Sequence, residues 1–188
     1  FGSGNDDVWL IKTNAAGDTL WSKTYGGASR EVATSIGRTA GGGYIMAGYT
    51  QSYGPGTPAR PNVWLILTDG SGNPFWTKTY GRDSNDVANS VQQTLDGGFI
   101  IAGQTSSFGA GSDDVYLIKT NGGGDTVWTR TYGGTGNDRG NSVRQTTDTG
   151  YVIAGSTTSF GAGSTDMYLI KTNAAGDTLW TETYGGTA

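Results

Sequence analysis

Apolar residues in this chain come in runs too short for helices and at spacings that suit strands. The run Asp114-Val115-Tyr116-Leu117-Ile118-Lys119-Thr120 is apolar on both faces, as in a strand covered on each side by a neighbouring sheet. It recurs at residues 7–13, 62–68 and 166–172. A hairpin signal follows each copy, at Gly17-Asp18, Gly72-Asn73, Gly124-Asp125 and Gly176-Asp177. It leads into segments such as Leu20-Trp21-Ser22-Lys23-Thr24-Tyr25, where aromatic residues alternate with small polar ones. That pattern predicts a half-exposed strand at the outer edge of its sheet. A third kind of segment, Asp86-Val87-Ala88-Asn89-Ser90-Val91-Gln92-Gln93-Thr94, has copies starting at Glu31 and Asp138. Its small residues, Ala33, Ala88 and Gly140 with Ser35, Ser90 and Ser142, suit an innermost strand crowded against its neighbours. The turn Asp96-Gly97-Gly98 then reverses the chain into Phe99-Ile100-Ile101-Ala102-Gly103, matched at residues 44–48 and 151–155. No segment has helical periodicity.

These four segments form a unit that repeats. The string from Thr13 to Trp21 returns letter for letter from Thr172 to Trp180. Trp21, Trp76, Trp128 and Trp180 fall at a period of about 52 residues with one insertion in the first interval, a length that fits a propeller blade or related array. The expected fold is therefore all-β, a β-propeller-type array of four-stranded antiparallel blades in one segment, residues 1–188. A half blade is expected at residues 6–26 and full blades at 31–81, 86–133 and 138–186. Propellers close with about 4 to 8 blades, so the array is expected to belong to a larger ring or assembly.

Composition narrows the chemistry more than the fold. With no cysteine and no histidine, there is no disulfide framework, no thiolate chemistry, no Cys/His zinc site and no imidazole base. A net charge of −4 with 15% charged residues offers no basic stripe for nucleic acid. No run of 18 apolar residues is present to insert into a membrane as a helix. The many Thr, Ser, Asn and Gly residues fit an extracellular or cell-surface setting. The chain opens at Phe1-Gly2-Ser3-Gly4 with no charged or apolar leader region, so a secretion signal is expected to lie outside it.

The unit Tyr132-Gly133-Gly134-Thr135-Gly136-Asn137-Asp138, followed by Asn141-Ser142-Val143, then Thr149-Gly150-Tyr151-Val152-Ile153-Ala154-Gly155, then Asp166-Met167-Tyr168-Leu169-Ile170-Lys171, resembles the secreted β-propeller repeat family of bacteria and archaea. The resemblance covers essentially the whole chain. It implies four-stranded blades in secreted or surface proteins without an assigned catalytic site. The chain departs from the Asp-Gly-Gly turn at Asp148-Thr149-Gly150 and at Ala40-Gly41-Gly42-Gly43. The segment Gly176-Asp177-Thr178-Leu179-Trp180 is also similar, over a short stretch, to the docking tryptophan of quinoprotein propellers, but it names no cofactor ligand.

Candidate functional residues fall into four groups. Trp21, Trp76, Trp128 and Trp180 could stack on sugar rings, yet one per blade fits packing between blades better. The loops from Ser107 to Asp114 and from Ser159 to Asp166, echoed by residues 1–7, superficially resemble the calcium loops of integrin-type propellers. They lack the run of oxygen ligands that calcium needs, so no metal or cofactor is expected. The recurring acids Glu31, Asp86 and Asp138 suit turn chemistry, because catalysis requires one asymmetric constellation. Finally, residues 53–61 are longer than their counterparts and hold three of the four prolines. With Arg30, Tyr53, Arg60, Arg82, Arg139, Phe108 and Phe160 they make a candidate partner-binding rim. The expected function is a non-enzymatic extracellular scaffold for adhesion or surface assembly. Its expected partners are further repeats, other copies of itself, or a surface glycan or protein. A multivalent lectin with one shallow site per blade and an accessory propeller of a larger secreted enzyme are the alternatives.

Overall fold

The computed structural model describes residue 2 and residues 4–187. It is all β, with fourteen strands: β1 (Val8–Thr13), β2 (Thr19–Tyr25), β3 (Glu31–Arg38), β4 (Tyr44–Thr50), β5 (Asn62–Thr68), β6 (Pro74–Tyr80), β7 (Asp86–Gln93), β8 (Phe99–Thr105), β9 (Asp114–Thr120), β10 (Thr126–Tyr132), β11 (Asp138–Gln145), β12 (Tyr151–Thr157), β13 (Asp166–Thr172) and β14 (Thr178–Tyr184). Strands β3 to β6, β7 to β10 and β11 to β14 form three antiparallel sheets in simple sequential order, and β1 pairs with β2 alone. The strand pair spans residues 8–25 and the three sheets span residues 31–80, 86–132 and 138–184.

The cores lie between sheets. Ile45, Ala47 and Leu65 of the first sheet pack with Ala88, Val91, Phe99, Ile101 and Ile118 of the second. On the other face of the second sheet, Ile100, Ala102, Val115 and Leu117 meet Val143, Tyr151, Ile153 and Ile170 of the third. This explains the double-sided apolar runs: β9, with a sheet on each side, is buried at every position. Strand β1 has only one covered face, through Val8 against Met46, Trp64 and Ile66, and it alternates instead.

The small-residue strands β3, β7 and β11 sit at one edge of their sheets and contact each other in series. Each carries a bulge, at Ala33/Ser35, Ala88/Ser90 and Gly140/Ser142. In β3 and β7 the side chain of the residue in the bulge, which is out of register with its own sheet, reaches the next sheet. Thr34 Oγ1 donates to Ala88 O at 2.6 Å and Asn89 Nδ2 to Gly140 O at 3.1 Å. Small neighbours are required here: a Cβ on Gly140 would lie 3.1 Å from Val115 Cγ1.

The Gly-Asp signals are the ends of longer turns rather than two-residue loops. Asn14 Oδ1 accepts from Ala16 N and Asp18 N, as Asn121 and Asn173 do in their own turns and Asp69 does in the remaining one. The glycine that follows is left-handed in each, with φ of +89° at Gly17 and +78° at Gly72. The register shift beside it marks a bulged hairpin. The variant turn Asp148-Thr149-Gly150 keeps the geometry of the others: Thr149 adopts φ 67° where Gly97 has φ 80°, and so carries strain that glycine avoids.

Candidate functional site

The recurring acids lie deep in the fold. Asp86 is buried and accepts from the hydroxyls of Thr105 and Ser107 and from Arg82 N. Asp138 repeats this with Thr157, Ser159 and Gly134 N. Glu31 does so with Thr50, Ser52 N and Gly27 N. The chemistry is that of a turn clamp, with a carboxylate bonded to the backbone of the loop entering the strand. Environment tunes the copies differently. Burial pushes the Asp86 carboxyl above its ordinary range despite three hydrogen bonds. For Glu31 burial acts in the same direction but is outweighed by bonds from Ser52, Gly27 and Thr50, and its carboxyl is held below the ordinary range.

At the outer edges, a single latch joins consecutive sheets. Trp76 of β6 meets Phe99 edge-on with centroids 5.8 Å apart, and Trp128 of β10 meets Tyr151 in the same way at 5.8 Å. Trp21 of β2 meets Tyr44 at 6.2 Å. Four residues on from each tryptophan, a tyrosine hydroxyl donates to the turn glycine of the next sheet. Tyr25 donates to Gly72 O, Tyr80 to Gly124 O and Tyr132 to Gly176 O, each at 2.6 Å. Burial, and next Asp69, pushes the Tyr25 hydroxyl up to about 12, so it stays protonated and donating. Each ring also fills the space under that glycine: a Cβ on Gly124 would lie 3.0 Å from Trp76 Cη2 and one on Gly176 2.9 Å from Trp128 Cζ3. A charge pair completes two of the joints, Lys78 Nζ to Asp125 Oδ1 at 3.1 Å and Arg130 Nη2 to Asp177 Oδ1 at 3.5 Å. The three tryptophans in occupied joints are half-buried rather than core residues, since their outer faces remain wet.

The chain ends of this series are open. Trp180 is 45% exposed and Tyr184 is 56% exposed. At the other end, nothing lies within 4 Å of a Cβ placed on Gly17.

The predicted rim is drawn into contacts within and between sheets. Arg30 pairs with Asp6 at 2.8 Å and Arg139 with Asp113 at 3.3 Å. Arg139 is the second residue of β11. Arg82 lies 4.9 Å above the Phe108 ring, which packs at a tilt against Tyr116, and Phe160 packs in the same way against Tyr168. Tyr53 rests on Trp64 and donates to Gly26 O. Arg60 is exposed at the end of the proline-rich loop. Of these residues only Arg139 lines one of the main clefts among the described residues. Phe1, predicted to echo Phe108 and Phe160, lies outside the described residues.

Two features escaped the sequence reading. Lys119, buried, donates to Asp96 at 2.8 Å and to Thr120 O, and Lys171 repeats this with Asp148. Lys119 pulls the Asp96 carboxyl down to about 2 against the opposing effect of burial. The repeat itself was the available signal, since lysine and acidic turn recur together. Arg38 and Arg144 line one open cleft of 600 Å³ with Ile36, Gln92, Gln93 and Leu95. They sit at positions where the repeat breaks, and among the described residues neither forms an ion pair. Among the described residues no group of three or more acidic side chains could hold a metal ion, and no helix is long and apolar enough to cross a membrane.

By sequence, the chain matches no described protein family and no curated protein, so the resemblance to propeller repeats rests on its motifs. In structure it is similar to a protein of unknown function from Bacteroides caccae, with a TM-score of 0.58 and 13% identity. The match covers 100% of this chain and 57% of that one, so the chain spans little more than half the length of its structural neighbour. At this identity the likeness bears on the fold alone.

Proposed function

We propose that the sheets are blades of a β-propeller-type array and that the chain is a non-enzymatic extracellular scaffold, built for adhesion or surface assembly by packing against further repeats. One observation carries the reading: a latch of tryptophan, tyrosine and turn glycine is filled three times inside the chain and open at Trp180 and Tyr184. An exposed aromatic pair beside an unpaired sheet edge favours association. The absence of histidine and cysteine and the spending of the recurring acids on turn clamps support the non-enzymatic part. A sugar site repeated in every blade would need rings other than these tryptophans, because three of the four are covered by the next turn.

Charge selects the occupant. Where β6 and β10 place Lys78 and Arg130 against an aspartate of the next turn, β14 carries Glu182. The chain's own first turn ends in Asp18, so two copies joined head to tail would set two carboxylates against each other. A further repeat with a neutral or basic turn residue fits better than a second copy. Light scattering on the isolated chain tests this. Glu182→Lys should shift the chain from weak to marked self-association at micromolar concentration, and Trp180→Ala in that background should reverse it. Association unchanged by either substitution would refute the reading.

A further inference from the structure

The two-stranded sheet records what it lacks. In the complete sheets the strand equivalent to β1 is paired on both edges, whereas β1 pairs only with β2. A groove of 200 Å³ runs between β1 and β3, lined by Val8, Trp9, Leu10, Ala33, Ile36 and Met46. In the complete sheets the edge equivalent to the free edge of β1 is paired by a hairpin made of a small-residue strand and an apolar strand, as with β3 and β4 beside β5.

Charge specifies the turn of that hairpin. Lys119 and Lys171 each reach the aspartate in the turn joining the first two strands of their sheet, Asp96 and Asp148. The first sheet has Leu67 at the lysine position, and its turn, Ala40-Gly41-Gly42-Gly43, has no carboxylate. Lysine and acidic turn thus occur together, as do leucine and neutral turn. Lys12 occupies this position in β1. With no such turn opposite, its ammonium lies 6.0 Å over the Trp21 ring and, among the described residues, meets no carboxylate.

We infer that the free edge of β1 is a strand-addition site for a partner β-hairpin with an aspartate in its turn, paired to Lys12, and with small residues on the strand facing β3. The added strand runs antiparallel to β1, in the register that places Tyr151 opposite Thr172 and Thr157 opposite Asp166 in the third sheet. Main-chain bonds supply affinity, and the groove and Lys12 supply selectivity. The inference rests on the assembly reading but concerns the opposite end of the chain from Trp180.

A synthetic peptide of residues 138–157 is the probe. Titrated against the full chain, it should bind one to one and protect the β1 amides, Ile11 included, from hydrogen exchange. Peptide Asp148→Lys should bind about five- to ten-fold more weakly, the scale of one lost and reversed ion pair at a partly covered site. Chain Lys12→Asp should invert that preference. The chain variant Trp180→Ala should bind the peptide unchanged, which separates this site from the other open end. If the free peptide aggregates, the same residues fused ahead of Phe1 through a flexible linker should give the same protection. Equal affinity of the two peptides, no binding at millimolar peptide, or a fusion that leaves β1 unprotected would overturn the inference while leaving assembly through Trp180 standing.

Discussion

Trp128 and Trp180 occupy the same place in successive copies of the unit, each followed four residues later by a tyrosine, yet they live in different surroundings. Trp128 packs edge-on against Tyr151 beneath Gly176, and Tyr132 donates to that glycine's carbonyl. Trp180 and Tyr184 face solvent. The residues are the same, and the difference is whether another sheet follows. In a repeat array a side chain's worth therefore belongs to the joint rather than to the repeat.

The largest test of this comparison is truncation of the two tryptophans. Trp128→Ala should cost about 3 kcal/mol, the lower end of the range for buried aromatic residues because the ring is only half covered. Trp180→Ala should change stability by no more than about 0.5 kcal/mol. Urea denaturation of both variants measures the gap, and equal losses would break the comparison. A finer probe removes one hydroxyl. Tyr132→Phe should cost about 1 kcal/mol for the lost bond to Gly176 O, with the carbonyl left short of a partner, and Tyr184→Phe nothing measurable. Both effects should appear as shifts in the urea midpoint at unchanged slope.

The smallest effect is in acid, and it sets the paired lysine of the second sheet beside the unpaired Lys12. Asp96 is held at about 2, below its unfolded value, so its contribution is present above about pH 4 and fades as pH falls toward 2. Asp86 acts with the opposite sign. Its raised value stabilises the fold at low pH, and that contribution is lost as pH rises through the folded value. Asp96→Asn should flatten the acid limb of the stability curve, a small change because this carboxylate is largely exposed. Lys12→Met should leave that limb as it is. Thermal melts from pH 2 to 6 check both, and an acid limb that Lys12→Met alters as much as Asp96→Asn would show that the two lysines are equivalent.

Much of the fold was legible in the residues. Double-sided apolar runs, alternating Trp and Tyr segments, and small-residue segments mark the third, fourth and first strands of each sheet, because side-chain period and size directly reflect which faces are covered. The candidate sites were less legible. The acids of Glu31, Asp86 and Asp138 were read correctly as turn chemistry, since a feature repeated in every unit serves the unit. The rim was harder to read. Arg30, Arg139 and Phe108 look like free recognition residues in sequence, and only their neighbours across the sheets show them engaged.

Sequence by itself determined the repeating strands, the turns and the positions of the latch, all of which follow from local spacing and from the conformational freedom of glycine at sites such as Gly17 and Gly72. Tertiary structure alone decided which copies of the latch are filled, which arginines are neutralised, and that Lys12 lacks the aspartate its equivalents hold. Those outcomes depend on contacts between residues from 23 to 47 positions apart, and a near-identical repeat cannot encode in its own letters whether a neighbour stands beside it.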